Sequence, residues 1–155
     1  MFERMLEDRY LELLRLAVLM ARDLAEAQDA LQTALERAWR ARDQLRDPAH
    51  LDSWLKRIVV REVVRRQTSP WARLTRPATP VDLSRLVAAG RDADLGLDAM
   101  VAVARLPAAQ RAVLVLHHYA GYPVDEVATI VGAPVETVRS RLRLAMARLR
   151  AELTP

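Results

Sequence analysis

No cysteine occurs anywhere in the 155 residues. That removes disulfides and thiolate metal sites, and it suits a cytoplasmic protein. Aromatics are scarce, with a single phenylalanine, and strand-like alternating runs are few, so a β-sheet core is not expected. No apolar run reaches the roughly 18 residues that a membrane span needs. The N-terminus is charged and amphipathic from Glu3 onward, which is unlike a signal peptide. Histidine is also rare. Of three, two are the adjacent His117 and His118, with Asp125 and Glu126 nearby. Neighbouring residues on a helix point about 100° apart, so these histidines do not converge on one metal. Neither a metal, a cofactor nor a catalytic centre is expected. What remains is 52% hydrophobic and 28% charged, the balance of a globular, all-α chain.

The net charge of +4 conceals a pattern. Residues 1–55 carry 8 basic and 11 acidic side chains, and residues 56–76 carry 7 and 1. Residues 77–133 carry 4 and 6, and residues 134–155 carry 5 and 2. Two separated basic segments suggest two contacts with a polyanion.

The C-terminal third is the most informative stretch: LPAAQRAVLVLHHYAGYPVDEVATIVGAPVETVRSRLRLAMARLR, Leu106 to Arg150. Pro107 opens a helix, where a missing N–H costs nothing, and Gly121 stands where a left-handed residue ends it. A short helix follows from about Val124 to Val131. Gly132-Ala133 makes a tight turn, and Pro134 opens a last helix to about Leu153. Two helices joined by a short Gly-containing turn are the sequence form of a helix-turn-helix. Val127, Val131, Val138 and Leu142 would face inward, with the small Ala128 permitting close approach. Glu136, Arg139, Ser140 and Arg143 would face outward near the start of the last helix, the end that meets base edges in a major groove. A solvated arginine face is the plainer reading of such a helix. The turn, the small residue and the inward apolar set together favour a DNA reader.

Upstream, a first helix over Phe2–Ala21 places Leu6, Leu13, Leu16, Ala17 and Met20 on one stripe. Asp23, with Glu26 three residues on, caps a second helix reaching about Arg42. That helix buries Leu24, Ala27, Leu31, Ala34, Leu35 and Ala38 and leaves Asp29, Gln32, Glu36 and Arg40 on a polar face, which spacing alone assigns to solvent. Asp47-Pro48 reads as a cap and first residue of a third helix reaching about Gln67. Its buried side is Trp54, Leu55, Ile58, Val59 and Val63. Its outer side is Lys56, Arg57, Arg61, Arg65 and Arg66. One glutamate among five cations leaves few partners within the helix, so a nucleic-acid contact is preferred to a solvated face. From Thr68 to about Asp92, Pro70, Pro77, Pro80 and Gly90 break the pattern, apart from a short helical turn in VDLSRLVAA. So long a connection supports two domains. A helix from Leu95 to Arg105 then packs on the C-terminal module through Leu97, Met100, Val101 and Ala104.

DLAEAQDALQTALERAWR followed by WLKRIVVREVVRR resembles region 2 of the extracytoplasmic-function sigma factors of bacterial RNA polymerase. The C-terminal stretch resembles their region 4. Region 4 alone is shared with other helix-turn-helix regulators; both blocks in this order are specific. The resemblance implies two small helical domains, 1–67 and 94–155, joined by a flexible linker at 68–93. It implies an initiation factor, not an enzyme, whose partners are core RNA polymerase and promoter DNA, with an anti-sigma factor as a further candidate. Docking on polymerase falls to the second helix, with Asp29, Gln32, Glu36 and Trp39. Recognition and opening of the −10 element fall between Leu45 and Arg66, with Trp54, Lys56, Arg57, Arg61, Arg65 and Arg66 as the candidate contacts. Thr137, Arg139, Ser140 and Arg143 match the positions that read the −35 element, and the outward Glu136 joins them as a candidate contact. The chain departs from the family where Asn is frequent (Arg61), near Arg65, where an acid is frequent, and in a melting loop that has Leu45 and His50-Leu51 in place of aromatics. Leucine offers no π face for stacking. After the last helix no further regulatory domain is expected.

Two other classes fit parts of the sequence. A plain helix-turn-helix repressor or activator would not need the Asp29–Trp39 block or the long linker. A sigma-like decoy that titrates an anti-sigma factor would be expected to have lost its basic faces, and both are present.

Overall fold

The computed structural model describes residues 2–21, 23–68 and 96–154. Among the described residues every regular element is helical. The proposed linker, including VDLSRLVAA, lies outside them except for Thr68, which is helical.

Helix α1 (Phe2–Met20) is amphipathic only in its first half. From Leu13 to Ala21 every residue except Arg15 is buried, including Leu14, Val18 and Leu19, which the expected stripe omits. A helix apolar all round is buried all round. Here α2 (Leu24–Arg40) and α3 (Leu51–Thr68) cover one side, and the C-terminal elements α4 (Leu97–Ala104) and α5 (Ala108–Leu114) approach the other.

The Asp23 carboxylate accepts from the Glu26 N–H at 2.7 Å and so caps α2. Ala27, Ala30, Leu31, Ala34 and Ala38 form the buried side of α2, and four alanines in that set let α1 and α3 come close. A 3₁₀ turn (Arg42–Gln44) follows. Asp47 accepts from the Ala49 N–H at 3.0 Å, but it caps a second 3₁₀ turn, Pro48–His50, rather than α3 itself. The expected start of the third helix therefore moves to Leu51. Leu51, Leu55, Val59, Val60, Val63 and Val64 are buried in α3, whereas Trp54 and Ile58, expected inside, are only half-buried.

In the C-terminal half Pro107 and Pro134 stand one residue before their helices, their carbonyls accepting from Arg111 N (2.9 Å) and Val138 N (3.1 Å). After α5 the helix widens into a π turn, Val115–Tyr119, where the Ala120 N–H reaches back five residues to Val115 at 2.8 Å. Gly121 (φ +84°) ends it. Helix α6 (Val124–Val131) and helix α7 (Val135–Leu153) meet across Gly132, whose φ of +70° is the left-handed conformation that ends a helix most easily in glycine. Val127, Ala128 and Val138 are buried between them, and Val131 and Leu142 are half-buried at the border. Helix α7 rests on α4, α5 and α6. Met100 and Ala104 of α4 are buried and Val101 is half-buried, and the side chain of Arg111, also buried, donates to the Ala104 carbonyl at 3.2 Å.

Candidate nucleic-acid interface

The first turns of α7 present what the alternation of apolar and polar residues dictates. Glu136, Arg139 and Arg143 are exposed, and Thr137 and Ser140 are half-buried between them. Arg139 pairs with Glu136 one turn back at 2.7 Å, and Arg143 donates to the Ser140 hydroxyl at 3.4 Å. Both guanidinium groups thus lie along one helix face with modest local partners that a nucleic acid can replace. The left-handed turn at Gly132 sets this face at an angle to α6, the arrangement that lets a second helix enter a groove.

Helix α3 carries its cations differently. The expected uniform basic side is divided into three. At its start, Lys56 donates to the carbonyl of Ala120 and lies 5.5 Å from the centre of the Tyr122 ring. Arg57 pairs with Glu126 of α6 at 3.3 Å and lies 6.0 Å from the same ring. Tyr122 is buried, which raises the pKa of its hydroxyl. Arg61 in the middle is exposed.

At the far end, Glu62 is fully buried and collects three arginines. Arg65 grips it with Nη2 on Oε1 (2.7 Å) and Nε on Oε2 (3.1 Å). Arg66 Nε reaches Oε1 at 3.1 Å, and Arg37 of α2 reaches Oε2 at 2.9 Å. Burial pushes the Glu62 carboxyl up, but the hydrogen bonds from Arg65 and Arg66 and the charge of Arg37 outweigh it, so its pKa is lowered. The same bonds raise that of Arg65. The expectation that one glutamate leaves these cations few partners within the helix is thereby corrected. A single carboxylate, placed inside, serves three, two of them on its own helix.

Trp54 lies edge-on to Phe2 with ring centres 6.3 Å apart. Trp39 is exposed, 5.9 Å from Phe2, with the Arg42 guanidinium 4.2 Å above its ring. Asp29, Gln32, Glu36 and Trp39 all stand exposed along α2, and Gln32 donates to Glu36 at 3.4 Å. The fold thus brings together the α7 set and the α2 set, each on one helix face, and it divides the α3 set. Glu62 was missed in the sequence; its only signal is an acid at a position where neighbouring turns are apolar.

His117 Nδ1 donates to the Tyr122 carbonyl at 2.7 Å, and the His118 ring stands edge-on 4.8 Å away. Burial, and then the neighbouring His117, lower the pKa of His118. Among the described residues no three His, Asp or Glu side chains are grouped to hold a metal, and no helix is long and apolar enough to cross a membrane.

A helix-turn-helix with an exposed arginine face, preceded by a three-helix unit with a second basic helix, defines a class of sequence-reading DNA binder. The sequence profile of Sigma-70 region 2 matches residues 5–72, and that of Sigma-70 region 4 matches residues 97–149. The ECF RNA polymerase sigma factor SigM of Mycobacterium tuberculosis is 33% identical over 148 residues, covering 96% of this chain and 74% of SigM. The RNA polymerase sigma-E factor of Streptomyces coelicolor is 33% identical over 161 residues, covering 98% and 85%. The fold is also that of the sigma factor RpoE solved in complex with the anti-sigma factor NepR from Bartonella quintana. That likeness has a TM-score of 0.63 at 23% identity and covers 98% of this chain and 96% of that one. The chain belongs to the extracytoplasmic-function sigma factors. It binds core RNA polymerase and directs initiation at promoters.

Proposed function

We propose that residues 1–67 dock on core polymerase and recognise and open the −10 element. Residues 94–155 read the −35 element, and 68–93 is the linker between them. Docking uses Asp29, Gln32, Glu36 and Trp39. Contacts at −10 come from Lys56, Arg57, Arg61, Arg65 and Arg66, with Trp54 beside them. Reading at −35 uses Glu136, Thr137, Arg139, Ser140 and Arg143. The factor acts in the cytoplasm and catalyses no reaction of its own. The observation that carries the reading is the exposed α7 face beyond the Gly132 turn, on a chain that also carries a second basic helix. An anti-sigma factor is a further partner, a reading supported by the likeness to RpoE, which was solved with one.

Each basic face is short, so either alone gives weak, salt-sensitive binding dominated by phosphates. Polymerase, by gripping both halves, fixes the spacing of two contacts that a tether would leave at a modest effective concentration. The test is a binding titration on promoter duplexes of varied spacer length, with and without core polymerase. Specific, spacer-dependent binding is expected only with core enzyme. Tight, spacer-independent binding by the isolated protein would indicate a plain helix-turn-helix regulator instead.

A further inference from the structure

We infer that Glu62 is a positioning residue for promoter discrimination. It holds Arg37, Arg65 and Arg66 in fixed orientations, so that this end of α3 distinguishes DNA sequences instead of adhering to any phosphate backbone. The inference rests on the reading above that this end of α3 contacts promoter DNA.

Glu62 is fully buried, on a helix whose neighbouring positions Val59, Val60, Val63 and Val64 are all buried and apolar. An aliphatic side chain at 62 would continue that surface. A buried carboxylate carries a desolvation cost that its partners must offset, and apolar replacements of buried ion pairs are often neutral or stabilising. Core stability alone therefore does not account for an acid there. The four hydrogen-bonded or ion-paired contacts it makes are all to guanidinium groups, and these come from both α2 and α3.

The arrangement is asymmetric in a useful way. The carboxylate is inside, while the side chains of Arg65 and Arg37 are 58% and 52% exposed. Arg65 is held bidentately, which fixes the plane of its guanidinium while more than half of its side chain stays exposed. Arg66 is fixed a second time, by donation to the Thr33 hydroxyl at 2.9 Å. An untethered arginine turns toward whichever phosphate is nearest. One fixed by a buried fork presents its exposed edge in one geometry, and only a surface of matching shape and charge fits it. The carboxylate also removes one unit of positive charge where non-specific attraction would be strongest. Because Arg37 and Thr33 belong to α2, the same group ties the proposed polymerase-docking helix to the proposed promoter helix.

Replacing Glu62 strands no charge in the interior, since the arginines left behind reach solvent. Glu62→Gln keeps the shape and loses the charge. Glu62→Leu suits the buried position and guards against a folding failure of the first variant. With each, holoenzyme binding to promoters carrying a cognate or a scrambled −10 element is measured against salt, alongside thermal melting. Affinity for scrambled DNA should rise about threefold or more at low salt, and the salt dependence should steepen by up to about one phosphate contact. Discrimination should fall about tenfold. A merely structural role predicts the opposite, with both affinities falling together as the melting temperature falls. Arg65→Ala with Arg66→Ala is the control. If that double variant binds DNA like the natural protein, the assignment of this end of α3 to the promoter is wrong. If it binds more weakly while both Glu62 variants keep natural discrimination and salt dependence, the inference about Glu62 is overturned.

Discussion

Helices α3 and α7 carry the two basic faces of this sigma factor and are held in opposite ways. Helix α3 is buried along most of its length, and four of its five outward cations are engaged by partners: a carbonyl for Lys56, Glu126 for Arg57 and Glu62 for Arg65 and Arg66. Helix α7 has only Val138 and Ala145 buried, and Arg139 and Arg143 meet only residues one turn back. Similar composition thus serves two designs. One helix is part of the core and has its charges placed by tertiary contacts. The other rests on the core by a narrow seam and leaves the arginines at its start to solvent, while its far end is tied by Glu152 to Arg105.

The largest expected effect tests that difference in burial. Leu55 in α3 is 1% exposed, and Leu144 in α7 is 52% exposed. Leu55→Ala should destabilise the protein by about 2–5 kcal/mol, whereas Leu144→Ala should stay within about 0.5 kcal/mol. Urea titrations of the two variants check this, and similar losses would break the comparison. An intermediate effect belongs to DNA reading. Arg139→Ala or Arg143→Ala should cost about 1–3 kcal/mol of discrimination at the −35 element while melting is unchanged. Competition between cognate and scrambled −35 duplexes for the holoenzyme measures it, and unaltered discrimination would leave α7 a solvated face.

The smallest effect concerns the contact between the halves. The Arg57–Glu126 pair is partly exposed on both sides, so it contributes only about 0–1 kcal/mol. Glu126→Lys should loosen the contact and free Arg57. Binding of the isolated protein to non-specific DNA should then rise a few-fold at low salt, and the gain should disappear at high salt as screening takes over. A gain that persisted in high salt would mean that the junction is not held by this charge pair.

The local devices were legible in the sequence. Asp23, Gly121 and Gly132 each act on groups within a few residues and do in the structure the work their positions suggest, while Asp47 caps the 3₁₀ turn before α3 instead of α3 itself. The family, too, was legible, because region 2 and region 4 each carry a long run of residues in fixed order. The long-range consequences were not. The all-round burial of the second half of α1 depends on elements about 90 residues later closing over it. The burial of Glu62 depends on Arg37 from another helix, which no periodicity reveals. The π turn at Val115–Tyr119, with its bonds from Ala120 and Tyr122 back to Val115 and Leu116, is not announced by anything in VLHHY. Trp54 was assigned wholly to the core by spacing, but the end of a helix has fewer neighbours to cover it.

The turn at Gly132 filters substitutions by handedness and not by size. A Cβ added there would meet no atom within 4 Å, so nothing crowds the position; only its φ of +70° resists a side chain. Left-handed backbone costs an ordinary L-residue about 1–2 kcal/mol, and asparagine less, because its short amide bonds locally to the backbone. The larger asparagine is therefore a better replacement than the smaller alanine. Tolerance at this hinge between α6 and α7 follows how readily a residue adopts left-handed backbone, in a place where bulk is irrelevant.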